Sequence, residues 1–286
     1  MHYAKYKTIL SPQNGMNLYR GCTHGCIYCD SRSKCYQVKH QFEDIEVKES
    51  APEILANQLK RKRQPVMIAT GSMSDPYIHL ELKLQQTRKC LEVIEKYGFG
   101  VTLHTKSARI LTDLDILKRI NYKTKAVVQI TLTTFNDSLC KILEPEVSTT
   151  SERVAVLKKL NEEGIPTVVW LGPFLPFIND NPENILGLLN YCLEANVKGI
   201  VCFGIGVTMR EGNREYFYQK LDQSFPGMKQ RYINAFGNRY GCRSQNHDKI
   251  MRIIRNFCQK HQILYNRKTF EYLAKFESQF GQLSMF

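Results

Sequence analysis

The stretch Tyr19-Arg-Gly-Cys-Thr-His-Gly-Cys-Ile-Tyr-Cys-Asp30 constrains this chain more than any other. Cys22, Cys26 and Cys29 fall within eight residues, in the spacing Cys-x3-Cys-x2-Cys. Gly21 and Gly25 let such a loop curl, so that three thiolates can point into one small volume. Thiolates are soft ligands and select zinc, copper(I) or iron–sulfur clusters. Three of them hold three corners of a cubane cluster, whose usual complement is four protein ligands. The iron left without a protein ligand is then open to a substrate or cofactor. A structural zinc loop is the competing reading and needs a fourth ligand at short spacing. His24 sits too close between the first two cysteines, and Cys35 is a candidate. Three buried free cysteines are a further reading, but a glycine-rich polar loop is a poor place for core residues.

The rest of the chain alternates. Short apolar runs at Val66–Thr70, Val101–Thr105, Ala126–Thr133, Thr167–Leu171 and Gly199–Ile205 read as buried strands, with Asn17–Tyr19 as a first one. Between them, helical periodicity marks Glu53–Arg63, Lys83–Tyr97, Asp113–Ile120, Ser148–Leu160 and Asn184–Ala195. Strands alternating with helices imply parallel pairing through right-handed crossovers. Six units are too few for a closed eight-fold barrel. The expectation is an α/β fold, a partial (β/α)6 TIM-like barrel over residues 1–210. A basic, aromatic-rich, mostly helical C-terminal extension follows over 211–286. In parallel α/β folds the site lies at the carboxyl ends of the strands. The polar groups Gly71-Ser72, Thr105-Lys106, Thr133-Thr134 and Gly172-Pro173 all fall there.

No apolar run is long enough to span a bilayer, and Met1–Leu10 lacks an apolar signal core. A cytoplasmic protein is expected. Ten cysteines in a reducing compartment suggest metal binding and ordinary core use rather than disulfides. Cys90, Cys140, Cys192, Cys202 and Cys258 read as core, and no second cluster is expected. The formal charge is +13, and residues 211–286 carry 13 Lys and Arg against 6 Asp and Glu. Such an excess favours polyanions, and makes DNA or RNA a candidate partner.

Cys22-x3-Cys26-x-Tyr28-Cys29 resembles the signature of the radical S-adenosylmethionine (SAM) enzymes. The wider loop, Gly71-Ser-Met-Ser-Asp-Pro-Tyr77, Thr105-Lys-Ser107 and Leu143-Glu-Pro145 resemble the branch related to spore photoproduct lyase. The resemblance implies a [4Fe-4S] cluster on Cys22, Cys26 and Cys29. It implies SAM on the open iron, cleaved by one electron to a 5′-deoxyadenosyl radical that takes hydrogen from a substrate. An electron donor such as flavodoxin or ferredoxin goes with that chemistry. Tyr28 is then expected beside the adenine, and Gly71 and Ser72 at the methionyl amino group, with Ser74 among the cofactor contacts. Lys106 is expected at the SAM carboxylate, Thr133 near the ribose, and Leu171 within the Trp170–Pro173 stretch against the adenine. Asp75 is read as bonding the turn backbone. Tyr77, Tyr240 and Cys242 are the candidates on the substrate side. Ser72 stands where spore photoproduct lyase has a hydrogen-donating cysteine, and a serine O–H is too strong a bond for that task. Three functions follow as alternatives: a radical SAM enzyme on nucleic acid or nucleotide, one on a peptide, protein or small metabolite, and a non-catalytic zinc-loop nucleic-acid-binding protein.

Overall fold

The apolar runs pair in the order in which they occur. A computed structural model describes residues 1–278. Strands β1 (Gly15–Met16), β2 (Met67–Thr70), β3 (Gly100–Thr105), β4 (Ala126–Leu132), β5 (Thr167–Leu171), β6 (Gly199–Val201) and β7 (Leu264–Tyr265) form one sheet in that spatial order. Every neighbouring pair is parallel. Each crossover contains a helix: α1 (Ala51–Lys60), α2 (Gln86–Lys96), α3 (Leu114–Lys123), α4 (Thr150–Glu162), α5 (Pro182–Glu194) and α6 (His247–Lys260). The edges β1 and β7 do not pair with each other, so the barrel stays open. The expected partial (β/α)6 barrel is therefore present, with β7 added at its far edge and followed by α7 (Arg267–Ala274).

Local chemistry explains where these elements begin. Thr149 and Glu152 form a reciprocal capping box at the start of α4. Asn181 accepts from the Asn184 N–H, with Pro182 in the first turn of α5. Strand β4 is buried at all its positions, as a central strand covered on both faces must be. Val128, Ile130 and Leu132 face the main core under the crossover helices. Val127, on the opposite face, packs with Val168, Val201 and Leu273 of α7. Helix α7 thus fills the concave side, where the buried Lys125 Nζ donates to the carbonyls of Tyr272 (2.7 Å) and Lys275 (2.9 Å).

Four elements differ from the sequence reading. The first sheet strand is Gly15–Met16, not Asn17–Tyr19. Tyr19–Arg20 instead pairs with Glu46–Lys48 in a separate sheet with His2–Ala4. Two adjacent short apolar runs serve two sheets, which periodicity does not separate. The expected helix over 83–97 is broken at Gln85, which adopts a left-handed conformation (φ 51°). The helix expected over 113–120 is preceded by a 3-10 turn at Ala108–Asp113 and continues to Lys123. The strand expected over 199–205 ends at Val201, and the chain then turns through Gly204 (φ 149°) and Gly206 (φ 155°).

Beyond residue 205, Gly206–Thr208 and Gly241–Arg243 form an antiparallel hairpin. Helices Asn213–Ser224 and Met228–Phe236 lie between its strands and pack Phe217, Leu221, Tyr232 and Phe236 against Cys26, Ile27 and Tyr28. The cysteine loop is therefore held between the barrel and this helical pair. Among the described residues, no helix is long and apolar enough to cross a membrane.

Candidate cluster and cofactor site

Gly21 (φ 87°) opens the cysteine loop where a Cβ would collide with the Phe42 carbonyl, which accepts from the Cys22 N–H at 3.1 Å. From the other side, the Ile27 N–H donates to the Leu143 carbonyl (3.0 Å) and the Glu146 N–H to the His24 carbonyl (3.2 Å). The segment Leu143-Glu-Pro145 is thus the clamp beneath the loop. Glu144 is its anchor. It is fully buried with Arg153, whose Nη2 donates to it at 2.6 Å. Tyr28 donates its hydroxyl to the same carboxylate. Arg153 also donates to the carbonyls of Thr131 and Ser148. Burial alone would raise the Glu144 carboxyl, but Arg153, Lys106 and Tyr28 outweigh it and hold it low.

The loop delivers Cys22, Cys26 and Cys29 to the wall of one cavity of about 400 Å³ at the carboxyl ends of the strands. All three are free thiols, and no other cysteine lines the cavity among the described residues. Cys35 is exposed and accepts from Arg210 Nη1 at 3.0 Å, outside the cavity. Burial pushes the Cys22 thiol up to about 12 and the Cys26 thiol well above its ordinary value. These thiols need a positive partner to ionise, as metal ligands do. His24, also on the wall, has Nδ1 3.5 Å from Asp75 Oδ2 and a buried Nε2 with no partner among the described residues.

The strand ends supply the rest of the wall. At Gly71 (φ 97°) a Cβ would collide with the His104 carbonyl, so only glycine lets β2 turn there against β3. Ser72 lines the cavity, 3.5 Å from Asn17 Nδ2. Ser74 also lines it, but its hydroxyl is committed to the Gly21 carbonyl at 2.6 Å. Asp75 accepts from Thr105 Oγ1 (2.6 Å), the Lys106 N–H (2.8 Å) and the Tyr77 N–H (2.9 Å). Burial opposes its ionisation, yet His24 and these donors keep the carboxyl low. The Lys106 ammonium lies on the cavity wall and forms no ion pair among the described residues. Burial works against its charge, but Cys26, Glu144 and Asp75 hold it above its usual value. From β5, Leu171 and Trp170 line the cavity. Trp170 stacks on His104 (4.7 Å, 23°) and meets Phe203 and Phe270 edge-on. Phe203 is 76% exposed although it lines the same cavity.

Four expected residues lie elsewhere. Thr133 is buried and donates to Glu144 at 3.3 Å. Thr131 occupies the cavity wall in its place and bonds His104 Nε2 at 2.7 Å. Tyr77 is buried and donates to Asp113 at 3.0 Å, away from the cavity. Cys242 packs into the apolar cluster beneath the hairpin, beside Val207 and Tyr232. Tyr240 is exposed and does not line the cavity, its hydroxyl accepting from Arg210 Nη2 at 2.7 Å. Sequence reasoning did not single out Glu144, Arg153, His104 or Phe203 individually. The Leu143-Glu-Pro145 motif was the one available signal for Glu144.

The chain is matched over residues 16–189 by a family model described as the radical SAM superfamily. It is 31% identical over 175 residues to an uncharacterized protein of Methanocaldococcus jannaschii, covering 60% of this chain and 64% of that one. It is 25% identical over 234 residues to an uncharacterized protein of Mycobacterium tuberculosis, covering 77% and 66%. The chain thus spans just under two thirds of the length of these relatives. Spore photoproduct lyase complexed with dinucleoside spore photoproduct has the same fold, with a TM-score of 0.64 at 15% identity over 87% of this chain and 74% of that one. Streptococcus suis SuiB bound to precursor peptide SuiA aligns with a TM-score of 0.54 at 13% identity, over 93% and 48%. The family match runs from β1 into α5 and takes in the cysteine loop and the ends of β2 to β5; the protein is a member of the radical SAM superfamily.

Proposed function

We propose that Cys22, Cys26 and Cys29 carry a [4Fe-4S] cluster and that the protein uses it with SAM on a substrate bearing a nucleobase, in a nucleic acid or a nucleotide. The convergence of three free thiols and an unpaired Lys106 ammonium on one cavity carries this reading. The residues fit both groups. Three thiols without a fourth suit a cluster with one open iron. The backbone cradle at Gly71, which no side chain could share, and the buried orphan Nε2 of His24 suit a polar cofactor. When bound, the cluster supplies the electron that splits SAM and so generates the hydrogen-abstracting radical.

The chain's own residues then hold, orient and shield. Lys106 offers a compact positive charge to the SAM carboxylate. Tyr28 fixes the loop's last turn through Glu144, while Trp170 and Leu171 wall the cavity from β5. The exposed Phe203 ring, backed by Trp170 and Phe270, is an aromatic platform at the mouth. Such platforms hold unstacked bases, and the +13 charge attracts their phosphates. With Ser72 in place of a thiol, and no further cysteine on the wall among the described residues, a reaction other than photoproduct reversal is supported.

Anaerobic reconstitution tests this. The protein should gain cluster absorbance and release 5′-deoxyadenosine with a flavodoxin- or ferredoxin-type donor, faster with single-stranded oligonucleotides than without. Acceleration by peptides or small metabolites alone would replace the substrate assignment. A colourless zinc-loaded protein without SAM cleavage would sink the cluster assignment.

A further inference from the structure

Outside the cavity, His2, His40 and Glu46 bring together one ligand atom each, all within 4.8 Å of one another. We propose that these three residues bind a divalent transition metal of the zinc type, which staples the N-terminal strand to the loop that seats the cysteine loop.

Hydrogen bonding settles which atoms point inward. His40 Nδ1 lies 2.9 Å from the Gln41 carbonyl, which only accepts, so Nδ1 carries the proton. The lone pair of the neutral ring is then on Nε2, and that atom is buried with no partner among the described residues. His2 Nδ1 lies 3.0 Å from Asp44 Oδ2, again a pure acceptor. In the neutral ring its Nε2 then carries the lone pair, 3.6 Å from Glu46 Oε2. The other Glu46 oxygen accepts from the Tyr6 hydroxyl, which orients the carboxylate. With both Nδ1 atoms engaged elsewhere, the two Nε2 atoms and the Glu46 oxygen are the ligand atoms left to the group that lies within 4.8 Å. A second proton on His2 satisfies its own approach to Glu46 but leaves the buried His40 Nε2 orphaned. One cation satisfies all three.

The donor set suits zinc: two imidazoles and one carboxylate, with water as the fourth ligand. Metal–ligand bonds of about 2.0–2.2 Å in a tetrahedron separate ligand atoms by about 3.4 Å, near the 3.6 Å found between His2 and Glu46. The arrangement behind the ligands is also that of metal-binding histidines, each Nδ1–H held by a carboxylate or carbonyl. The site joins His2–Ala4, the 37–44 loop and Glu46–Lys48. That loop includes Phe42, whose carbonyl receives the Cys22 N–H. The metal would therefore hold the frame on which the cluster loop begins.

Elemental analysis of the full chain, cluster-loaded and without a polyhistidine tag, tests the site after equilibration with zinc and gel filtration. About one zinc per chain is expected beside the cluster iron. His40→Ala and Glu46→Gln should each reduce it to traces while cluster absorbance persists. Asp44→Asn, which keeps all three ligands, should weaken zinc binding by about 10–100-fold. Cobalt(II) in place of zinc should show ligand-field bands without thiolate charge transfer. No zinc in the wild-type holoprotein, zinc retained in His40→Ala, or thiolate charge transfer in the cobalt form would each overturn the proposal.

Discussion

Two buried charges show what a single residue does here. Glu144 and Arg153 are both fully enclosed, and the pair fastens the cysteine loop to the end of β4 through Tyr28. Removing one member leaves the other buried and uncompensated, which costs about 3–5 kcal/mol. Glu144→Ala should therefore lower the melting temperature and the iron content together, measured by thermal denaturation and iron analysis. Lys106 behaves differently, because its ammonium forms no ion pair or hydrogen bond among the described residues and acts on Glu144, Cys26 and Asp75 only through its charge. Lys106→Met should leave cluster absorbance intact and weaken SAM by about 10–150-fold, the worth of one charged hydrogen bond at about 1.5–3 kcal/mol. Equilibrium binding of SAM to the reconstituted variant measures it. That Thr131 rather than Thr133 lines the cavity belongs to this scale. Both lie two residues apart on one side of the strand, but β4 ends at Leu132, and beyond it Thr133 turns under the clamp.

At the scale of elements, the junctions between strand and loop carry the site. Gly71 has positive φ and no room for a Cβ against β3. Gly71→Ala should destabilise by at least about 3 kcal/mol, from backbone strain and collision together. Gly98 is the control, since it too has positive φ (69°) but nothing within 4 Å of an added Cβ. Gly98→Ala should cost about 1 kcal/mol. Chemical denaturation of the two variants reads the difference. The same scale explains why the strand and helix positions were largely legible while the broken helix at Gln85 and the early end of β6 were not. Periodicity reports which residues are apolar, and the apolar run Gly199–Ile205 continues past Val201 although the backbone turns there and leaves Phe203 exposed.

In the whole molecule, segments distant in sequence close over the open barrel. Helix α7 brings Tyr272 and Leu273 onto the concave face and holds Lys125. Ending the chain after Asn266 should strip that face and give an aggregating protein, detectable by gel filtration. At the opposite, carboxyl end, Phe203 stands exposed with Phe270 stacked on it at 5.8 Å. If it carries a base, Phe203→Ala should raise KM for an oligonucleotide by about 5–150-fold, corresponding to about 1–3 kcal/mol of stacking. Oligonucleotide binding should also weaken steeply as salt rises. A salt-independent affinity would contradict a phosphate-bearing substrate.

The alternation of strands and helices from β2 to α5, the three-thiol loop and the placing of Gly71, Lys106 and Leu171 at strand ends were determined by the sequence alone. Each rests on local chemistry: burial period, thiolate softness, glycine freedom and the direction of a parallel sheet. Other features needed the tertiary structure. Glu144 meets Tyr28 and Arg153 across separations that no period encodes. Tyr77 and Cys242 turn into packed interiors because apolar neighbours from other elements claim them. His2 meets Glu46 only because two short strands pair in parallel, and the loop before Glu46 brings His40 beside them. Pattern along a chain reports how each residue meets water, and folding alone decides which residues meet each other.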